Sequence, residues 1–365
     1  MNRIIRLLVL GCGLLVIGAL GWAGDDSIEW HPASECRLEG QAWTETGAPF
    51  DRFPARAEAS VRAPVWDLSR QSAGLCLRFS SDAPAIHARW SLTSESLAMP
   101  HMAASGVSGL DLYVMHEGQW RWLGMGKPQK RVGNVAKLAH GLGEGWRDYM
   151  LYLPLYNGTA SVEIGLPSGT HLKAAEAREE GERTPIVFYG TSITQGACAS
   201  RPGMAHTAIL GRRLGREVIN LGFSGQGTMD LSVGELLAEI DAAVYVIDCL
   251  PNMRATQVAE RTRPLLQALR KARPDVPILL VEDRSYGWAF LASAARERNQ
   301  ASRAELKSAH DSLRAEGFTA LFYLPGANLV GQDGEGLVDG SHPSDLGFMR
   351  QADAFESPLR QLLKR

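Results

Sequence analysis

The sequence lacks an excess of charge of either sign. Lys and Arg total 38 against 40 Asp and Glu, a formal net charge of −2. No basic surplus exists to neutralise a phosphate backbone, which argues against a dedicated nucleic-acid binder. Cysteine is scarce: there are five, never spaced C-x-x-C, so zinc ribbons and thioredoxin-like redox sites are not expected. The 18 prolines and 38 glycines follow no fixed period, against collagen-like and solenoid folds. No G-x-S-x-G elbow and no G-x-x-x-x-G-K-[ST] phosphate loop occurs, and Gly222, Gly225 and Gly227 do not have dinucleotide-fingerprint spacing. The nine histidines form no H-x-x-x-H pair, so neither a catalytic metal nor a cofactor is expected. Beyond the N-terminus no run is long and apolar enough to span a bilayer.

What is present is an ordinary globular composition, 45% hydrophobic and 21% charged, in 365 residues, enough for two domains. Residues 1–23 read as an export signal: Arg3 and Arg6, an apolar run from Leu7 to Leu20, then Gly21-Trp22-Ala23 as a cleavage site. The expected localisation is therefore exported, periplasmic or secreted, with no membrane span in the mature chain; an uncleaved N-terminal anchor is the alternative. Export permits disulfides among Cys36, Cys76, Cys198 and Cys249, with three possible full pairings. Cys76 and Cys249, inside apolar runs, read as buried thiols.

Two textures divide the chain. In residues 24–172, short apolar runs alternate with polar residues between turn signals, as in Ile86-His87-Ala88-Arg89-Trp90 and Leu110-Asp111-Leu112-Tyr113-Val114. This is the pattern of an all-β sandwich, with no long helical stripe. Residues 173–184 (KAAEAREEGERT) are charged and read as a linker. In residues 185–365, apolar strands at about 185–189, 217–221, 243–249, 277–282 and 319–323 alternate with helical segments. That rhythm predicts a three-layer α/β/α domain on a parallel sheet, whose ligands bind beyond the carboxyl ends of the strands.

Polar residues gather there: Gly190-Thr191-Ser192-Ile193-Thr194 after the first strand, Gly222-Phe223-Ser224-Gly225 after the second, Pro251-Asn252 after the third and Asp339-Gly340-Ser341-His342 after the fifth. Singly, each has a bland reading. A serine after a strand is usually a helix cap, and an asparagine in a turn usually holds that turn. Their joint order is more specific. Asp283, Arg284 and Tyr286 after the fourth strand are candidate substrate contacts, although an ion pair or cap is the commoner role. His101 is a further candidate that could reach the pocket across the domain boundary, and His206 reads as structural. Trp120, Trp122 and Trp146 default to cover roles. Asn157-Gly158-Thr159 is a formal glycosylation sequon.

These blocks resemble the SGNH (GDSL-type) hydrolase superfamily, with GDSL altered to Gly190-Thr191-Ser192-Ile193 and the third block keeping Asn252 without its usual flanks. Ser108-Gly109-Leu110-Asp111-Leu112-Tyr113, with Pro64-Val65-Trp66-Asp67-Leu68-Ser69 and Met99-Pro100-His101-Met102, resembles the GxDLY-type β-sandwich that precedes some bacterial SGNH domains. The resemblance implies a flavodoxin-like catalytic domain with Ser192 as nucleophile, His342 as base and Asp339 orienting it. Oxyanion donors would be the backbone N–H of Ser192 and Gly225 and the Asn252 amide. The implied activity is a serine esterase removing short acyl groups, such as acetyl, from a small-molecule or polysaccharide ester. The chain shows no apolar lid of the kind a long-chain lipase needs. A catalytically silent carbohydrate-binding protein and an acyltransferase with the same three residues are the alternatives.

Overall fold

The structure is a computed structural model and describes residues 27–364. The expected export signal, residues 1–23, lies outside the described residues. Alternating strands build the N-terminal half: β1 (Ile28–Pro32), β2 (Arg37–Glu39), a short helix α1 (Ala63–Ser69), β3 (Cys76–Ser81), β4 (Ile86–Leu92), a one-turn helix α2 (Ala104–Val107), β5 (Leu110–His116), β6 (Gln119–Gly126), β7 (Asn134–Ala139), β8 (Arg147–Tyr152), β9 (Thr159–Pro167) and β10 (Leu172–Ala174). They pair antiparallel into two sheets, ordered β1-β9-β4-β7 and β10-β3-β8-β5-β6, with β2 on β3. The period of two decides which residues meet. Ile86, Ala88, Trp90 and Leu92 of β4 point inward, and join Leu77 and Phe79 of β3, Leu110 and Leu112 of β5, and Val162 and Ile164 of β9 in one core.

The C-terminal half alternates strand and helix: β11 (Ile186–Gly190), α3 (Ser192–Gln195), α4 (His206–Leu214), β12 (Val218–Gly222), α5 (Leu231–Glu239), β13 (Val244–Asp248), α6 (Ala255–Ala272), β14 (Ile278–Val281), α7 (Ser293–Ala315), β15 (Leu321–Leu324) and α8 (Asp345–Leu362). The five strands are parallel in the order β12-β11-β13-β14-β15. Every residue of β11, β13 and β14 is buried, because helices cover both faces. Val187 and Tyr189 of β11 face α5, α6 and α7, while Ile186 and Phe188 face α4 and α8. The order reverses between β11 and β13, so the crevice beyond their carboxyl ends is the expected ligand position.

The N-terminal half differs from the expected all-strand pattern at α1, whose first turn contains Pro64, a residue with preset helical φ. Its Val65 and Trp66 join Trp43 and Phe53 against Tyr189 and Phe223 of the α/β half rather than the core between the two sheets. Part of the expected linker is also a strand, since Leu172–Ala174 pairs with β3. Arg52 seals the joint between the halves. It is fully buried, and its guanidinium donates to the carbonyls of Gly222 (2.7 Å), Asn220 (3.1 Å), Leu68 (2.6 Å) and Gln71 (2.8 Å). Four carbonyls and the Phe223 ring beneath replace the water it lost.

All four described cysteines are free and buried, so no disulfide forms among them. Asn157 of the sequon is buried too. Its NH2 donates to Ser94 O and Ser108 Oγ, both at 3.1 Å, and its oxygen accepts from Ser94 N. The amide therefore braces a turn, and a glycan on it is incompatible with this packing.

Candidate functional site

The loop after β11 turns into α3, a helix of a single turn. Thr191 caps it by accepting from the Ile193 N–H, and Gly196 ends it in the left-handed region at φ 109°. Ser192 is its first residue, so its own N–H has no intrahelical partner. The side chain is nearly buried, at 7% exposure, and its Oγ lies 2.9 Å from His342 Nε2. The other ring nitrogen, Nδ1, lies 2.7 Å from Asp339 Oδ2. The second oxygen of Asp339 accepts the backbone N–H of His342 (2.8 Å) and of Ser341 (3.0 Å). One carboxylate thus shapes the turn that carries the ring and holds the ring itself. Burial works to raise the pKa of Asp339, but those two N–H groups and the ring outweigh it and hold the carboxyl down at about 2. It is an anion throughout the range in which the protein would operate.

The second loop lies over the start of α3. Gly227 packs so closely on the carbonyl of Gly190 that an added Cβ would sit 1.9 Å from that oxygen. Gly225, at φ 70°, adopts a backbone conformation few other residues hold, and an added Cβ would meet open space. The third loop puts Asn252 beside this turn. With its amide oxygen accepting from the N–H groups of Gln226 and Gly227 (3.2 Å each), its NH2 takes no part in either bond. The opposite orientation would set NH2 against two donors.

The N-terminal half frames these loops. Tyr156 donates its hydroxyl to the backbone carbonyl of Ser192 at 3.2 Å, and Leu155 O accepts from the Gln195 side chain at 3.1 Å. Gln195 in turn accepts from Ser224 N (3.0 Å), tying α3 to the second loop. Arg62 pairs with Asp230 (2.7 Å) and donates to Gln226 O (3.1 Å). Asp111, in the Gly109-Leu110-Asp111-Leu112-Tyr113 segment, is fully buried and accepts from Arg201 and Gly203 N (both 2.8 Å) and from Trp122 Nε1 (2.8 Å). The segment therefore anchors the loop that follows α3. His101 sits in a tight turn closed by reciprocal Met99–Met102 backbone bonds, and its ring centroid is 5.6 Å from that of His342.

The other sequence candidates make none of the hydrogen bonds of the Ser192–His342–Asp339 line. Arg284 is buried and makes a two-pronged ion pair with Asp248, while its Nε donates to Gln351 (2.7 Å). Asp248 also accepts from Thr194 (3.3 Å), so the pair supports the floor of α3. Asp283 is buried, and desolvation raises its carboxyl to about 6 against three nearby guanidiniums; its Oδ2 accepts from Asn299 (2.8 Å). Tyr286 stacks on Trp288 and its hydroxyl accepts from Arg298. Asp283 and Arg284 are thus paired within the protein. His206 is packed among Phe188, Phe348 and Phe355, and burial lowers its pKa well below the usual value.

An apolar rim that the sequence reading missed stands beside the His342 turn. Trp288, Phe290 and Leu291 are 47%, 77% and 81% exposed, and Gly287 N donates to Gly340 O at 2.8 Å. A cleft of about 380 Å³ opens below it, between Tyr286, Phe290, Val330 and Leu337. Tyr156 and Gln195 were missed as well. Their contacts join segments far apart in sequence, and no local pattern announces such a meeting.

Comparison with known proteins accords with this geometry. The description of the GDSL-like lipase/acylhydrolase family matches residues 183–360, and that of the N-terminus of SGNH-hydrolase-type esterases matches residues 28–172. A protein of Bacteroides ovatus assigned to the GDSL-like lipases is similar at 35% identity, over 93% of this chain and 98% of that one, with a TM-score of 0.88. Two more distant structures share the fold. The salicylyl-acyltransferase SsfX3 of a tetracycline biosynthetic pathway is 18% identical, covering 92% and 97% of the two chains, with a TM-score of 0.73. A family two carbohydrate esterase from Clostridium thermocellum, solved with cellohexaose, is 16% identical, covering 80% and 93%, with a TM-score of 0.57. No curated protein matches. Among the described residues, no helix is long and apolar enough to cross a membrane.

Proposed function

We propose, on the premise that this chain belongs to the GDSL-like lipase/acylhydrolase (SGNH) family and hydrolyses esters, that it is an exported serine esterase acting through an acyl-enzyme on Ser192. The observation that carries this reading is the line Ser192 Oγ, His342 Nε2, His342 Nδ1, Asp339 Oδ2, with contacts of 2.9 and 2.7 Å. A serine hydroxyl is a weak nucleophile until a base within such reach takes its proton. His342 accepts that proton as Oγ attacks the acyl carbon, then gives it to the departing alcohol. Water attacks the acyl-serine with His342 again as base, releasing the carboxylic acid and restoring the hydroxyl. Asp339 keeps the proton on Nδ1, so that Nε2 is the basic nitrogen, and stabilises the imidazolium as it forms.

The developing oxyanion is met by the N–H groups of Ser192 and Gly225 and the NH2 of Asn252. A donor of this kind contributes about 3–4 kcal/mol to the transition state. The substrate class is a short acyl ester, acetyl foremost, on a hydroxylated scaffold such as a carbohydrate. The deep seat of Ser192 under loops from both halves of the chain supports a small acyl group, and the fold shared with a carbohydrate esterase supports the scaffold. Hydrolysis of a p-nitrophenyl ester series from acetate upward tests this reading. Fastest turnover on acetate, abolished in Ser192→Ala, is expected; equal turnover by Ser192→Ala, or a preference for long chains, contradicts it.

A further inference from the structure

Cys198 has no place in the reaction just described, yet it lies beside the groups that do. It is buried, carries no disulfide and holds a left-handed backbone at φ 71°, a conformation few non-glycine residues adopt. The loop around it is pinned on two sides: Ser105 of the N-terminal half donates to Ser200 O (2.6 Å), and Ser200 N donates to Asp345 (2.9 Å) at the start of α8. One ligand atom from each of His101, Cys198, Asp339 and His342 lies within 4.8 Å of every other. Three segments of the chain thus converge on one point, and none of the three is brought there by local sequence.

We propose that these four residues form an inhibitory site for a divalent transition ion of the zinc type. The donor set, one thiolate, two imidazoles and one carboxylate, is the tetrahedral chemistry that selects zinc over harder ions such as magnesium or calcium. Ligand atoms around tetrahedral zinc stand roughly 3.3–3.8 Å apart, from bond lengths of about 2.0–2.3 Å. Small side-chain rotations close the difference from 4.8 Å. His101 and Asp339 are exposed and give the ion an entrance, whereas Cys198 forms the buried end. Binding releases the thiol proton of Cys198 to solvent.

Occupancy silences His342 whichever ring nitrogen the ion takes. An ion on Nε2 occupies the lone pair that would accept the serine proton. An ion on Nδ1 forces the neutral ring to carry its proton on Nε2, which is then a donor and no longer a base. Asp339 is drawn from the ring in the same event. The inhibition rests on the esterase reading above; the binding does not.

The test uses the full chain, reduced and freed of metal, titrated with Co2+ and watched by absorbance. The expected result is one equivalent bound, with a thiolate-to-cobalt charge-transfer band and strong four-coordinate visible bands, both erased by Zn2+. Cys198→Ala loses the charge-transfer band. His101→Ala, which decides the matter if the cysteine variant does not fold, weakens cobalt binding at least about tenfold, since even a supporting residue contributes ~10–100-fold to metal affinity. In parallel, Zn2+ suppresses p-nitrophenyl acetate turnover and EDTA restores it. Cys198→Ala keeps its basal turnover but needs at least about tenfold more zinc for half inhibition. A wild-type chain with no charge-transfer band, or variants that bind and respond as the wild type does, overturns the proposal. A chain that binds cobalt as described but hydrolyses no ester refutes the esterase reading and leaves the site standing.

Discussion

Removing the Asp111 carboxylate, in Asp111→Ala, should weaken the whole molecule and the reaction together. Asp111 is fully buried, and three donors converge on it at 2.8 Å: Arg201 Nη1, Gly203 N and Trp122 Nε1. Burial alone raises its pKa, and Arg201 with Gly203 pulls against that. Alanine would leave the Arg201 guanidinium without its carboxylate, with only the Tyr113 hydroxyl to donate to, and the Gly203 N–H buried without an acceptor. Breaking a buried pair from one side costs about 3–5 kcal/mol, and an orphaned N–H about 1–3 kcal/mol. The two overlap, so a loss of about 3–5 kcal/mol in urea unfolding is expected. The same loop leads back through Cys198 to α3, so kcat on p-nitrophenyl acetate should fall while the variant is still folded. Replacing both partners by apolar residues, Asp111→Leu with Arg201→Met, should recover part of the lost stability, because no charge is then left unpaired. A loss below about 1 kcal/mol in Asp111→Ala, with unchanged kcat, would refute the view that this segment anchors the loop.

Asp339→Asn should lower kcat about 10⁴-fold with little change in global fold, since an amide cannot hold the proton on Nδ1; steady-state kinetics alongside far- and near-UV circular dichroism checks both halves. Because Asp339 is held down at about 2 against an ordinary carboxyl value near 3.8, its folded anion stabilises the native state above pH 3.8, and that contribution fades as pH falls toward 2. Wild type and Asp339→Asn should accordingly differ in stability at pH 5 and converge at about pH 2. Asn252→Ala should cost roughly 10²–10³ in kcat, and a loss within twofold would remove it from the oxyanion site. Cys76 and Cys249, the two most deeply buried thiols, should resist a thiol reagent such as DTNB until the chain unfolds; rapid labelling of either in the native protein would contradict their burial.

The fold class is legible in the sequence because burial leaves periodic marks. Strand β4 alternates residue by residue, and β11 and β14 run apolar throughout, which separates a one-sided sheet from one covered on both faces. The four polar loops are legible for a related reason: in a parallel sheet, whatever follows the strands shares one edge. Contacts between the halves leave no such mark. Arg52 reads as an ordinary surface arginine until the carbonyls of Asn220 and Gly222, roughly 170 positions away, are seen to surround it. Helix α1 was hidden because its apolar face serves the far half of the chain and not the nearer core. Arg284 could not be assigned from its position after β14, since its partners Asp248 and Gln351 come from two other elements. The apolar rim at Trp288, Phe290 and Leu291 was overlooked because the segment is short and shows neither strand nor helix periodicity.

Treatment of the native protein with a fluorophosphonate, followed by peptide mass spectrometry, tests the central claim most directly. A single covalent adduct on Ser192, lost in His342→Ala although that variant remains folded, is the predicted result. An adduct on another residue, or labelling of Ser192 that proceeds equally well without the imidazole, would contradict it.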